Sequence, residues 1–268
     1  MYLDRMNYKE VEEYLKHDDL VIIPVGSIEN HGLHMPLGTD TMIPDKIISM
    51  MEEKLNLKKN NHVVVAPTIN YGSTDDLSGF PGTITLGIDG LKNLLQTICD
   101  QLYKFGFRRF VILNGHGGNC KPIDAVGINM FKKGCWLACV NWWLIVGELN
   151  SYYKGGHGGG EEAAGVMAVD PSLIKYEYIN EPEGIMNDVS EELPSSSWTS
   201  VCFKGANVTI PRLVNHLTHN GWLTHGMGSD NPSKADPKWG TEMLDMMADY
   251  LIDFNEALKR AALPEKCE

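Results

Sequence analysis

Short apolar runs bounded by turn-forming residues recur along the chain: Leu20-Val21-Ile22-Ile23, His62-Val63-Val64-Val65-Ala66, Phe110-Val111-Ile112-Leu113 and Trp136-Leu137-Ala138-Cys139-Val140. Unbroken apolar segments of this length fit strands covered on both faces, the pattern of a parallel sheet. Between them lie helix-like stretches: residues 8–17, Thr41 to Leu55, a stretch capped by Asp89 that ends at Phe105 before Gly106, and one after Asn119. Pro44 suits the second of these only in a first turn, close to a cap at Thr39 to Thr41. The β-α-β rhythm predicts an α/β fold with a mostly parallel sheet covered by helices. Beyond Asp170 the pattern loosens. The polar, acidic stretch from Glu181 to Ser200, with Ser195-Ser196-Ser197, reads as an insertion or lid, around 181–205, on one domain. An amphipathic helix resumes from Asp236 to Arg260.

Length and charge narrow the function classes. With 268 residues the chain can bury a full core, and 43% hydrophobic against 22% charged residues is ordinary for a globular protein. A formal charge of −12 gives no footprint for nucleic acid or an anionic membrane and suits a small neutral or cationic substrate. No apolar run approaches the ~20 residues needed to span a bilayer, and the N-terminus carries no secretory pattern, so a cytoplasmic location is expected. The six cysteines form no Cys-x-x-Cys pair and read as reduced thiols.

The candidate chemistry sits after the strands. Glu29 and His31 are two apart, so an extended backbone sends both side chains to one side, where they can meet one ion. Gly32, Pro36 and Gly38 let the segment fold back and bring Asp40 to face them. His116 follows the third strand inside Asn114-Gly115-His116-Gly117-Gly118-Asn119, its imidazole left uncrowded by glycines. That turn matches neither Gly-x-Gly-x-x-Gly nor a P-loop. Gly156-His157-Gly158-Gly159-Gly160-Glu161-Glu162 puts His157 on a glycine-rich loop and Glu161 or Glu162 in a first helical turn. Together these clusters offer three carboxylates and two imidazoles. Two divalent cations with a bridging hydroxide balance that set better than a cysteine-rich structural zinc does. Such a hydroxide attacks an amide carbonyl, and His157 is the available acid for the departing nitrogen. Ser73 and Thr74, in the polar loop from Asn70 to Gly79, are candidates for binding substrate polar atoms. A nucleotide-binding α/β protein and a metal-stabilised, non-catalytic scaffold are the competing readings.

The run from Pro24 to Asp40, followed in order by Phe80-Pro81-Gly82-Thr83, Asn114 to Asn119 and His-Gly-Gly-x-x-Glu, closely resembles the creatininase family of amidohydrolases, with a weaker echo from Gly226 to Pro232. The resemblance implies a three-layer α/β/α fold, two divalent ions per subunit (zinc, manganese or iron) and homo-oligomers, often hexamers. It implies that Glu29 and His116 hold one metal, that His31 holds the other, that Asp40 bridges both and that His157 shuttles the proton. Creatininase has Gly-His-Tyr-Glu-Asn at the second cluster, its glutamate a ligand. Here Gly118 stands at that position, and the family spacing counted from His157 selects Glu162 as the substitute, with Glu161 left as a surface residue. By spacing, Tyr153 stands where creatininase packs a tryptophan on its substrate, and Lys154 where it has an acidic residue. The implied reaction is hydrolysis of a small amide, with a cyclic, creatinine-like lactam favoured over a formamide.

Overall fold

The computed structural model describes residues 1–58, 63–179, 186–222 and 230–267. The strands β1 (Leu20–Val25), β2 (Val64–Val65), β3 (Arg109–Asn114) and β4 (Trp136–Asn141) pair in parallel in the order β2-β1-β3-β4. The helices are α1 (Tyr8–Tyr14), α2 (Thr39–Leu57), α3 (Gly87–Phe105), α4 (Cys120–Lys132), α5 (Trp142–Leu149), α6 (Gly160–Val169) and α7 (Pro237–Arg260). Alternation along β1 divides them into two layers. Leu20 and Ile22 share a core with Ile43, Ile47 and Met51 of α2, Val166 of α6, and Met243, Met247 and Leu251 of α7. Val21, Ile23 and Val25 face Leu91 and Leu95 of α3 and Ile123, Val126 and Met130 of α4. Each such aliphatic side chain, fully buried, contributes ~1.5–3 kcal/mol. The expected mostly parallel sheet between helices is therefore present. Among the described residues no helix is long and apolar enough to cross a membrane.

Several boundaries differ from expectation, each for a local reason. Helix α1 stops at Tyr14, because Asp18 turns its carboxylate onto the N–H groups of Asp19 and Leu20 and leads the chain into β1. Helix α3 starts at Gly87, two residues before Asp89, and its end at Gly106 (φ 124°) is as expected. Strand β4 runs one residue further, to Asn141, and passes directly into α5, whose Trp-Trp-Leu-Ile-Val sequence is too uniformly apolar to show a helical period. The segment expected as an insertion contains a three-stranded antiparallel ribbon: β5 (Ser195–Ser197), β6 (Ser200–Phe203) and β7 (Ala206–Thr209). Its β6–β7 turn places Lys204 and Gly205 at φ 49° and 81°, the two positive values of a tight hairpin. Residues 181–185 of that segment, His62 of the second apolar run and 226–229 of the weaker motif lie outside the described residues.

One boundary matters for the site. Helix α2 begins at Thr39, which moves Pro44 into the second turn. Proline has no N–H to offer the Asp40 carbonyl, so that oxygen leaves the helical ladder. It rests instead against the glycines that follow β1 and β3. A Cβ on Gly115 would stand 1.9 Å from it and 2.9 Å from Pro44 Cγ, and one on Gly26 would stand 2.8 Å from it. The missing side chains thus let the first turn of α2 land on the sheet edge. Gly115→Ala is expected to destabilise the protein by about 3 kcal/mol, the upper end for overpacking, and to lower its urea midpoint. An unchanged midpoint would remove Gly115 from this role.

Candidate metal centre

In the order β2-β1-β3-β4 the winding reverses between β1 and β3, which opens a crevice beyond their C-terminal ends. The segment after β1 supplies Glu29 and His31, the first turn of α2 supplies Asp40, and the turn after β3 supplies His116. Glu162 comes from the first turn of α6 and His157 from the glycine loop before it. The six side chains meet there. His31 Nε2 is 2.9 Å from Asp40 Oδ1, 3.9 Å from Glu29 Oε1 and 3.8 Å from Glu162 Oε2. His116 Nδ1 is 3.0 Å from Glu29 Oε1 and 3.2 Å from Asp40 Oδ2, and His157 Nδ1 is 3.8 Å from Glu29 Oε1. Three overlapping groups have ligand atoms within 4.8 Å of one another: Glu29/Asp40/His116, His31/Asp40/Glu162 and Glu29/His31/His157.

The hydrogen bonds decide how the imidazoles are used. A carbonyl only accepts, so each ring nitrogen facing one carries the proton. His31 Nδ1 faces Glu29 O at 3.2 Å, His116 Nε2 faces Ser73 O at 3.1 Å, and His157 Nε2 faces Asn30 O at 2.7 Å. In all three rings the other nitrogen is thereby turned towards the carboxylates, where it holds either a second proton or a lone pair for a cation. Both Glu29 oxygens and Asp40 Oδ2 are buried and accept no hydrogen bond. Ring nitrogens facing unpartnered carboxylate oxygens fit a divalent cation with nitrogen and oxygen ligands, each histidine fixed by a backbone acceptor.

The electrostatics agree. Burial opposes charge on His31, but Asp40, Glu162 and Glu29 outweigh it and raise its pKa to about 10. His116 also rises well above its ordinary value, burial being overcome by Glu29 and Asp40. Asp40 falls despite burial, because His31 and His116 stand beside it. Burial lifts Glu162 to about 7. The carboxylates therefore demand positive charge at this point, which imidazole protons or a divalent cation can supply.

The other expected residues are placed as follows. Ser73 serves through its backbone: its carbonyl holds His116 and its N–H donates to Asn119 Oδ1 at 2.9 Å. Thr74 is fully buried and its hydroxyl has no partner. Tyr153 packs in the core, stacked on Trp239 with ring centroids 5.7 Å apart. Glu161, expected at the surface, is instead buried. Its carboxylate lies against the backbone of Gly155 and Gly159, because the glycine loop folds back over the start of α6. Gly118 has a steric reason to lack a side chain: a Cβ there would stand 2.1 Å from Ser73 O and 2.5 Å from His116 Nε2, breaking the bond that orients the imidazole.

Residues without an expected role complete the site. Asn119 Nδ2 donates to Gly26 O and to Asn114 Oδ1, while Asn114 Nδ2 donates to His116 O, so the two asparagines tie the ends of β1 and β3 together. His34 Nε2 lies 3.0 Å from Gly158 O, and Gly158 N–H donates to Glu162 Oε2 at 2.8 Å, which pins the His157 loop from both sides. Trp198, on the β5–β6 turn, meets the His157 ring edge-on at 4.8 Å. The asparagines and His34 stand inside motifs visible in the sequence, whereas Trp198 has no local signal.

A parallel α/β sheet with a carboxylate and imidazole cluster at its switch point is the build of a metal-centred α/β protein. The chain belongs to the creatininase family: residues 4–255 match the family described as creatinine amidohydrolase. It is 39% identical over 123 residues to the mycofactocin precursor peptide peptidase of Mycolicibacterium smegmatis, covering 45% of this chain and 49% of that protein. It is 30% identical over 201 residues to the 3-dehydro-scyllo-inosose hydrolase of Thermotoga maritima, covering 69% of this chain and 62% of that protein. The chain thus spans about half to three fifths of the length of these relatives. A solved structure from Bacteroides fragilis NCTC 9343, described as a candidate creatinine amidohydrolase, shares the fold: TM-score 0.74, 23% identity, 99% of this chain and 98% of that chain.

Proposed function

We propose that the chain is a metal-dependent hydrolase of an amide C–N bond in a small substrate. The observation that carries this reading is the convergence of imidazole nitrogens and unpartnered carboxylate oxygens on one buried point. Glu29, Asp40 and His116 would hold one divalent cation, and His31, Asp40 and Glu162 the other. Asp40 offers Oδ1 to the His31 side and Oδ2 to the His116 side, as a bridging carboxylate requires. Zinc, manganese or iron in these positions would acidify water and polarise a carbonyl.

The chain's own residues do the rest. Burial, and then the neighbouring His31, hold the His157 pKa down to about 3, and the Asn30 carbonyl fixes its Nε2–H. Nδ1, the nitrogen left unprotonated, would take a proton from the attacking water and return it to the departing nitrogen. The lowered pKa makes it a weak base and a strong acid, which favours the second of these transfers. Thr74 Oγ, buried without a partner, is available to a polar atom of the substrate. A cyclic, creatinine-like lactam is one substrate of this kind; the 39% identity to a peptide peptidase favours a second, an open-chain peptide amide.

Elemental analysis of the purified protein is expected to give about two equivalents of metal per chain. A chelator should abolish hydrolysis of a panel of lactams, formylated amines and short peptides, and one divalent ion should restore it. Metal-free protein that hydrolyses the panel equally well would end this reading. Glu162→Gln is expected to weaken the cation beside His31 selectively, while Glu161→Gln, whose carboxylate lies under the glycine loop, should leave both affinities largely unchanged. Calorimetric titration of metal into both variants decides the assignment, and a second-site loss confined to Glu161→Gln would reverse it. A homo-oligomer, a hexamer by family resemblance, is also proposed, and light scattering of the holoprotein tests it.

A further inference from the structure

Residues 186–222 form an arm across the mouth of the site. Trp198 touches His157, the Asn220 carbonyl accepts Asn30 Nδ2–H at 2.7 Å, and Trp222 packs against His34. Asn215 closes on the loop that carries Ser73 and Thr74, since a Cβ on Gly79 would stand 2.4 Å from its side chain. Within this arm Arg212 Nη1 donates to Ser195 Oγ at 3.0 Å and to Asn187 O at 3.4 Å. Its Nε and Nη2, the edge of the guanidinium that meets a carboxylate with two parallel bonds, are buried and have no partner. Trp198 Nε1 and Trp222 Nε1 are in the same condition.

Among the described residues, every buried side-chain polar atom of the arm that lacks a partner is a donor. Those of the metal cluster, both Glu29 oxygens and Asp40 Oδ2, are acceptors. The cluster's need is met by cations; the arm's is not, because cations cannot accept hydrogen bonds. A buried donor without a partner is costly, and more so if charged, so four such atoms on one arm call for an acceptor from outside the chain. Attachment relates this demand to the reaction. Ser195, which Arg212 holds, precedes by three residues the Trp198 that touches His157, so the guanidinium is fastened to the same ribbon that meets the His157 imidazole. With a net charge of −12 the protein has no general attraction for anions, which makes this arginine a local device.

We propose that Arg212 binds a free carboxylate of the substrate, which makes the substrate class an open-chain amide of an amino acid, such as an N-acyl amino acid or the carboxyl end of a short peptide. This rests on the amide-hydrolase reading and excludes creatinine-like lactams, which have no carboxylate to offer. The test compares N-benzoylglycine with its neutral carboxamide on the metal-loaded protein, by calorimetric binding and by hydrolysis. Charge-assisted bonds of ~1.5–3 kcal/mol correspond to a preference of about 10–100-fold for the carboxylate. Arg212→Gln should abolish that preference with the metal content unchanged. Arg212→Lys, a point charge without the fork, should keep part of it. Equal binding of the two probes by the unaltered protein would overturn the proposal, as would a preference that survives Arg212→Gln and so belongs to the cations. If Arg212→Gln fails to fold, a full preference in Arg212→Lys would overturn it equally. Loss of the preference in Arg212→Gln, in a protein that hydrolyses no amide, would leave the carboxylate site standing and remove the amide-hydrolase reading.

Discussion

Asp40→Ala is expected to strip the protein of both cations, the largest effect of any single substitution at the site. Asp40 turns Oδ1 to His31 and Oδ2 to His116, so its two oxygens serve both proposed cation positions at once. Loss of a residue that only orients a ligand lowers metal affinity ~10–100-fold, and loss of a ligand shared by two ions should exceed that at both positions. The fold should survive. Asp40 stands at the second residue of α2, and the two hydrophobic cores do not include it. What anchors the helix there is the Asp40 backbone carbonyl against Gly115, which the substitution leaves in place. The comparison should therefore be with metal-free, unaltered protein. Circular dichroism and the thermal midpoint are expected to coincide with that state, while elemental analysis finds no stoichiometric metal. A folded Asp40→Ala protein that retains both equivalents would exclude the bridging role.

How much of this was legible in the sequence depends on whether the signal is local. The four apolar runs announced the sheet because strands buried on both faces need unbroken apolar stretches, and β1, β3 and β4 lie within a residue or two of those runs. Glu29, His31, Asp40 and His116 were visible for a related reason. In a parallel sheet the residues just after a strand enter the crevice, so position along the chain stands in for position in space. Glu162 could be chosen over Glu161 only through the family spacing, and the supposition that Glu161 is a surface residue failed because the glycine loop folds back over it. The roles of Trp198 and Arg212 were not legible at all. They depend on how a polar segment returns over the sheet, and no periodicity encodes that return. The same holds for α2: its early start at Thr39 follows from two glycines 89 residues apart that let the Asp40 carbonyl land between them.

His157→Ala is expected to keep both metals yet lower turnover by ~10²–10⁴-fold, the usual contribution of a positioned acid–base group. The geometry makes this a sharp test, because Glu29, His31 and His157 also converge within 4.8 Å and could in principle share an ion. Two features favour the proton-transfer role. His157 Nδ1 is 3.8 Å from the nearest carboxylate oxygen, further than His116 Nδ1 or His31 Nε2 stand from theirs. Its loop is also held by hydrogen bonds that do not need an ion: Asn30 O on Nε2–H, and His34 and Glu162 on the two backbone groups of Gly158. Removing the imidazole should leave those Gly158 anchors intact, so substrate binding should change little and the loss should fall on kcat rather than KM. Since Trp198 rests on the His157 ring edge-on, some change in its fluorescence should accompany the substitution without any loss of metal. Elemental analysis beside steady-state kinetics separates the alternatives: a His157→Ala protein lacking one metal equivalent makes His157 a ligand, and the proton must then move through another group.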